Sequence, residues 1–309
     1  MSQVTRQPSP LRPGDRVQLV AASSALLGED ALARLEAGIA VLESWGLEVE
    51  RTPLHGRQWG YLAGQDHQRR GDLEAAARRG AELLACVRGG WGAARLLEAP
   101  LALPARWLLG FSDVTSLLWA QVAQGQGGAI HGPLLTTLAA EPAWSQERLR
   151  CLLFGEPLGE LQGEGWCGGS AAGPLLAANL TVATHLLGTP YLPDLRGTIL
   201  VLEDVGEAPY RIERMLTHWR LGGGLQQLAG IGLGQFTDCD DSTDVADRFS
   251  LEQVLRERTS DLGIPVVSNL PVGHGAGNAA LPLGAWAELD GSSGQLRISS
   301  AKQAPPLPQ

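Results

Sequence analysis

The feature that most constrains this chain is an alternation in its first 131 residues: short apolar runs alternate with stretches of helical spacing. Asp15 to Ser23 reads as a strand, followed by Leu32, Leu35, Ile39 and Leu42 at helical intervals, and Gly46 closes that helix. Leu47 to Arg51 is a second strand, and a charged helix over Asp66 to Arg79 ends at Gly80. Leu83 to Val87 breaks at Arg88-Gly89-Gly90-Trp91-Gly92 before a helix carrying Ala94, Leu96 and Leu97. Arg106 to Gly110 and Gly128 to His131 complete the series. Strands and helices alternating at this spacing predict an α/β doubly wound parallel sheet, in which functional groups collect at the carboxyl ends of strands.

The remainder of the 309 residues is more than one such core needs, so a second domain is expected. From Glu141 to Ser170 the pattern reads as a helix and then a linker rich in Gly, Glu, Pro and isolated Trp. The division that follows is a first domain over 1–155, a linker over 156–170, a second domain over 171–300 and a disordered tail over 301–309. In the second domain Asn179 caps a helix running to Leu187, Thr198 to Glu203 is a strand, and Pro209 opens a helix with Ile212, Met215, Leu216 and Trp219 inward. Gly230 to Phe236, Pro265 to Asn269 and Ala285 to Leu289 read as strands, Leu251 to Thr259 as a helix, and Gln295 to Ile298 as an added edge.

Composition removes several classes of function. Apolar residues at 44% and charged residues at 18% are ordinary for a soluble enzyme. A formal charge of −9 with no long basic run argues against a nucleic-acid partner. No apolar stretch of spanning length and no leader-like segment occur, so no membrane partner and a cytoplasmic location are expected. Cys86, Cys151, Cys167 and Cys239 lack metal-ligand spacing, so reduced thiols, no metal and no cofactor are expected.

The sharpest chemical signal is Gly110-Phe111-Ser112-Asp113-Val114, where a strand turns directly into a helix and Ser112 sits on the corner. That corner lifts a side chain to the carboxyl edge of the sheet, and the first amides of the helix are free to meet an oxyanion. Val114 stands where the common elbow Gly-x-Ser-x-Gly has its second glycine, and a Ser-Asp pair at this point also serves as a helix cap. A serine nucleophile needs a base and an acid to orient it. His274, in the loop Val272-Gly273-His274-Gly275, and His131, before Gly132-Pro133, both lie after strands and both remain candidate bases on residue pattern. His55, His67, His185 and His218 fall in polar stretches or inside helices. Glu203 ends its strand and is the candidate orienting acid. Asp204 alternates to the other side, and Glu207 precedes Pro209, where it favours the positive start of the next helix. Gly89-Gly90 would let backbone amides approach an oxyanion.

These segments together resemble the LD-carboxypeptidases, a family of serine peptidases that includes the muramoyltetrapeptide carboxypeptidases and the microcin C self-immunity peptidases. The resemblance is carried in order by Leu11-Arg12-Pro13-Gly14-Asp15, Arg88 to Leu97, Gly110 to Thr115, His131-Gly132-Pro133, Leu202 to Leu216 and Pro271 to His274. It implies a flavodoxin-like N-terminal domain, a smaller β-rich C-terminal domain, and a triad drawn from both. Within it Ser112 is the nucleophile, His274 the base and Glu203 its orienting acid, with oxyanion donors from the Gly90 and Asp113 backbones. The activity implied is release of the terminal D-alanine from murein tetrapeptides during cell-wall recycling, through an acyl-enzyme, with a small peptide as substrate and a homodimer expected. The alternative within the family is a microcin C-type peptidase that inactivates peptidyl-nucleotide antibiotics. A non-catalytic murein-peptide binding protein is the alternative of another class. Ala22, Trp91 and Ala177-Ala178 depart from the usual family residues, and the last three positions bear on subsite shape.

Overall fold

The structure is a computed structural model that describes residues 5–299, apart from 52, 55, 104 and 241–248; His55 and the tail 301–309 therefore lie outside the described residues. The described residues form two compact units, one of Thr5–Leu158 with Ala279–Leu283 and the other of Gly159–Asn278 with residues 284–299. In order the N-terminal unit contains β1 (Arg16–Val20), α1 (Glu29–Ser44), β2 (Glu48–Glu50), α2 (Asp66–Arg79), β3 (Leu83–Cys86), β4 (Trp107–Gly110), α3 (Thr115–Ala123), β5 (Ala129–His131), α4 (Leu135–Leu138) and α5 (Ala143–Phe154). The C-terminal unit contains β6 (Leu161–Gln162), β7 (Glu164–Cys167), β8 (Ser170–Asn179), α6 (Leu180–His185), β9 (Ile199–Val205), α7 (Pro209–Leu221), β10 (Gly230–Thr237), α8 (Leu251–Thr259) and β11 (Val266–Ser268). The chain then lends β12 (Leu281–Pro282) to the first unit and ends with β13 (Trp286–Asp290) and β14 (Gln295–Ile298) in the second.

The five strands expected in the N-terminal unit form a parallel sheet in the order β2-β1-β3-β4-β5, the flavodoxin-like arrangement. All of β3 and β4 are buried, as befits strands covered on both faces. α1 turns Leu35, Ile39 and Leu42 into a core shared with Val17, Leu19, Leu83, Leu109 and Ile130, and αL Gly155 caps α5. The antiparallel edge supplied by β12, which pairs Leu281 with His131, was not expected, because two residues carry no periodic signal. A fragment ending at Gly155 therefore lacks a strand of its own sheet and leaves the edge of β5 open.

Three readings are corrected. Residues 156–170 are not simply a linker: they carry β6 and β7, which form the two edges of the eight-stranded sheet β6-β14-β13-β8-β9-β10-β11-β7. The longest strand of that sheet, β8, was missed altogether, because Ser170-Ala171-Ala172-Gly173-Pro174 has low strand propensity and proline argues against a central strand. It is tolerated because the Leu175 amide donates to Ala285 O on the β13 side, so the missing Pro174 N–H falls on the β9 side, one residue before that ladder begins at Leu175 and Ile199. Finally, Ala94–Leu97 forms one 3₁₀ turn rather than a helix. Arg70 holds its far end by donating to the carbonyls of Leu96, Ala99 and Pro100. Among the described residues no helix is long and apolar enough to cross a membrane.

Candidate active site

Ser112 stands where the chain leaves β4 for a 3₁₀ turn over Ser112–Val114 that runs into α3. Its φ of 60° is in the left-handed region, which a non-glycine residue adopts at a cost of about 1–3 kcal/mol and which marks a strained elbow. The first glycine of the motif makes that corner possible. A Cβ on Gly110 would lie 2.7 Å from Val114 Cγ1, so buried Val114 folds back over the strand end where a second glycine would otherwise be expected. Gly89 faces the corner at close range: a Cβ there would lie 3.2 Å from Ser112 Cβ and 3.3 Å from Ser112 Oγ.

The loop around Gly89 is anchored from several sides. The Trp91 amide donates to Ser24 Oγ at 3.0 Å, and the Ala93 amide donates to Asp113 Oδ2 at 2.8 Å. Arg69, fully buried, donates through Nη1 to Gly92 O at 2.8 Å and also to Ala22 O. Burial raises the pKa of Asp113, while hydrogen bonds from Ser23, Ala93 and Gly92 and the charge of Arg69 oppose the rise. The Asp113 side chain thus ties the glycine-rich loop to the elbow, a role that sequence reasoning, which assigned only its backbone amide, did not see. Arg69 was missed as well, since an Arg-Arg pair in a charged helix has the same sequence signature as a solvated face. The Gly90 amide has no acceptor among the described residues. His131 is buried on β5, registered against Gly110, with its ring edge-on to Phe111 at 5.7 Å.

The C-terminal unit brings Glu203 and His274 together across 71 positions of sequence: His274 Nδ1 lies 2.6 Å from Glu203 Oε2. Glu203 is wholly buried in β9 and His274 partly so. Burial raises the Glu203 pKa, and the hydrogen bond and charge of His274 work against that rise. Their approach depends on Gly273, whose φ is 128°; a Cβ there would lie 2.9 Å from Glu203 Oε2 and 3.0 Å from Gln235 O. The Gly273 amide is pinned by Asn278 Oδ1 at 3.0 Å. Asp204, by contrast, accepts from Asn179 Nδ2 at 3.0 Å, from the Thr181 amide at 2.9 Å and from Thr181 Oγ1 at 2.8 Å, and so supports the start of α6. Asn179 caps that helix through the Val182 amide at 3.1 Å, and α6 ends at His185. Glu207 accepts from Arg211, four residues on, at 3.3 Å.

Comparison with known proteins accounts for both units. The LD-carboxypeptidase N-terminal domain matches residues 17–132, and the LD-carboxypeptidase C-terminal domain matches residues 172–289. The chain belongs to the LD-carboxypeptidase family. As a member it is a serine carboxypeptidase. The murein tetrapeptide carboxypeptidase of Pseudomonas aeruginosa is 38% identical over 301 residues, covering 90% of this chain and 94% of that protein. Among solved structures, the muramoyltetrapeptide carboxypeptidase from Oxalobacter formigenes has a TM-score of 0.80 at 27% identity, covering 92% of this chain and 97% of that one. MccF in complex with glutamyl sulfamoyl guanosine has a TM-score of 0.83 at 20% identity, covering 95% and 98%, a likeness of fold.

Proposed function

We propose that this LD-carboxypeptidase removes the terminal D-alanine from murein tetrapeptides, using Ser112 as nucleophile, His274 as base and Glu203 as the acid that orients it. The observation that carries the reading is the 2.6 Å contact of His274 Nδ1 with buried Glu203, which leaves Nε2 as the nitrogen that exchanges a proton with a substrate or nucleophile. In the first step Ser112 Oγ attacks the carbonyl carbon of the L,D-peptide bond as His274 Nε2 takes its proton. Amides of Gly90 and Asp113 meet the oxyanion. The proton passes from His274 to the leaving amine, the C–N bond breaks, and D-alanine departs. Water, activated by the same imidazole, then hydrolyses the acyl-enzyme to release the tripeptide. The 38% identity to the Pseudomonas murein tetrapeptide carboxypeptidase over 301 residues supports this substrate over the peptidyl-nucleotide alternative, for which the likeness is one of fold. The same reading includes action in the cytoplasm as a homodimer. Incubation with a defined murein tetrapeptide should release free D-alanine and the tripeptide by mass spectrometry, and labelling by a serine-directed fluorophosphonate should distinguish an enzyme from a binding protein. Absence of D-alanine release would refute the murein assignment.

A further inference from the structure

We infer that Arg88 is the residue that reads the free α-carboxylate of the peptide being shortened. A carboxypeptidase acts at a residue that bears a free carboxylate, and a guanidinium within about one residue of the attacked carbonyl is a strong partner for that anion. Arg88 follows β3 by one buried residue, Val87, at the carboxyl edge of the parallel sheet, and immediately precedes Gly89, where a Cβ would lie 3.3 Å from Ser112 Oγ. Arg88 is partly buried, and among the described residues its guanidinium makes one hydrogen bond, from Nη1 to Ala25 O at 2.8 Å. Among the described residues no carboxylate pairs with it. The neighbouring arginines are all committed: Arg57 pairs with Asp72 at 2.6 Å, while Arg69 and Arg95 pair with Asp66 at 2.5 and 2.8 Å. The remaining guanidinium N–H groups have no acceptor among the described residues and none is a buried orphan, so they are open to a ligand, and a planar fork suits a carboxylate. The bond to Ala25 holds one side of the fork and leaves the other for the ligand.

The assignment rests on the LD-carboxypeptidase reading and deepens it, and the test separates the two. Rates are compared for a murein tetrapeptide ending in free D-alanine and for the same peptide ending in D-alaninamide, with the native chain, Arg88→Gln and Arg88→Lys. Gln keeps a donor for Ala25 O and removes the charge; Lys keeps charge and donor but not the fork. The native chain should prefer the free acid, and Arg88→Gln should reduce the acid-to-amide ratio of kcat/KM by about 10- to 100-fold, chiefly through the acid substrate. Arg88→Lys should fall between. If Arg88 merely supports the loop, both substrates slow together and the ratio stays constant; that result, in whichever variant folds, overturns the assignment. A native chain that releases no D-alanine from the free acid refutes the murein reading itself, and the same acid-to-amide comparison on the peptide it does cleave then decides Arg88.

Discussion

The elbow at Ser112 and the loop at His274 each fix a side chain in place, by different physical means. Ser112 is held by its own backbone: a strand end, a left-handed φ and a short turn into α3, with all the defining residues within five positions of one another. His274 is held by a carboxylate 71 residues away, which is buried in the middle of a sheet and reached only because Gly273 lacks a side chain. The first arrangement stores strain locally, so its parts can be recognised in a short motif. The second stores the desolvation of a buried carboxylate, and nothing near His274 in the sequence reports that carboxylate.

Substitutions can separate the two arrangements. The largest effect is expected at the elbow: Ser112→Ala should lower turnover by about 10⁴-fold or more while the melting temperature stays level, because it removes the hydroxyl and leaves the left-handed backbone unchanged. Near-normal D-alanine release from that variant would end the elbow's claim to the chemistry. Next comes Glu203→Gln: under the proposed triad it should cut kcat by about two to four orders of magnitude, the scale of losing an orienting acid. Its effect on stability should run the other way. Burial raises the Glu203 pKa, so the folded chain holds that proton more tightly than the unfolded chain does, and ionisation costs stability as the pH climbs through the carboxylate range. Removing the charge should therefore hold or raise the melting temperature at pH 8, and the advantage should vanish toward pH 4. A Glu203→Gln protein that melts lower at pH 8 than at pH 4, relative to the native chain, would show that the carboxylate is favourable where it lies.

Gly273→Ala tests the close approach directly. An alanine at φ 128° with its Cβ against Glu203 and Gln235 should cost about 1–3 kcal/mol in chemical denaturation and lower kcat by displacing the neighbouring histidine. An unchanged kcat with the same loss of stability would separate the glycine from the position of the imidazole. The smallest effect is expected at Glu207, where loss of the exposed pair with Arg211 in Glu207→Gln should cost about 0.3–0.5 kcal/mol with kcat unchanged. Loss of turnover there, with Glu203→Gln active, would reverse the roles of the two glutamates.

Much of the N-terminal unit was legible before any coordinates, because parallel strands buried on both faces are short continuous apolar runs and their helices end in glycine. The same reading failed at β8, where alanine, glycine and proline build a central strand through its neighbours rather than through propensity. It also failed between residues 156 and 170, where two- and four-residue strands lie within a polar, glycine-rich stretch. At the site, Ser112 was visible as a corner and Glu203 was placed at a strand end although β9 continues to Val205, and His131, set back by its Gly-Pro neighbours, still rivalled His274 as base on residue pattern. Their environments differ only in three dimensions: His131 is enclosed on β5 against Phe111, and His274 has a carboxylate at 2.6 Å.

What the sequence determined by itself is therefore what local periodicity and backbone chemistry determine: the doubly wound sheet, the positions of most helices, and the elbow that needs Gly110 before Ser112. What only the tertiary structure decided is which distant groups share a desolvated space. Asp113 and Arg69 hold the loop of Gly89 through backbone groups some 20 residues or more away, and β9 brings Glu203 to Gly273 and His274. A hydrogen bond or a buried charge depends on separation in space and leaves no periodic trace along the chain, whereas a strand, a helix or a sharp turn is written in consecutive residues.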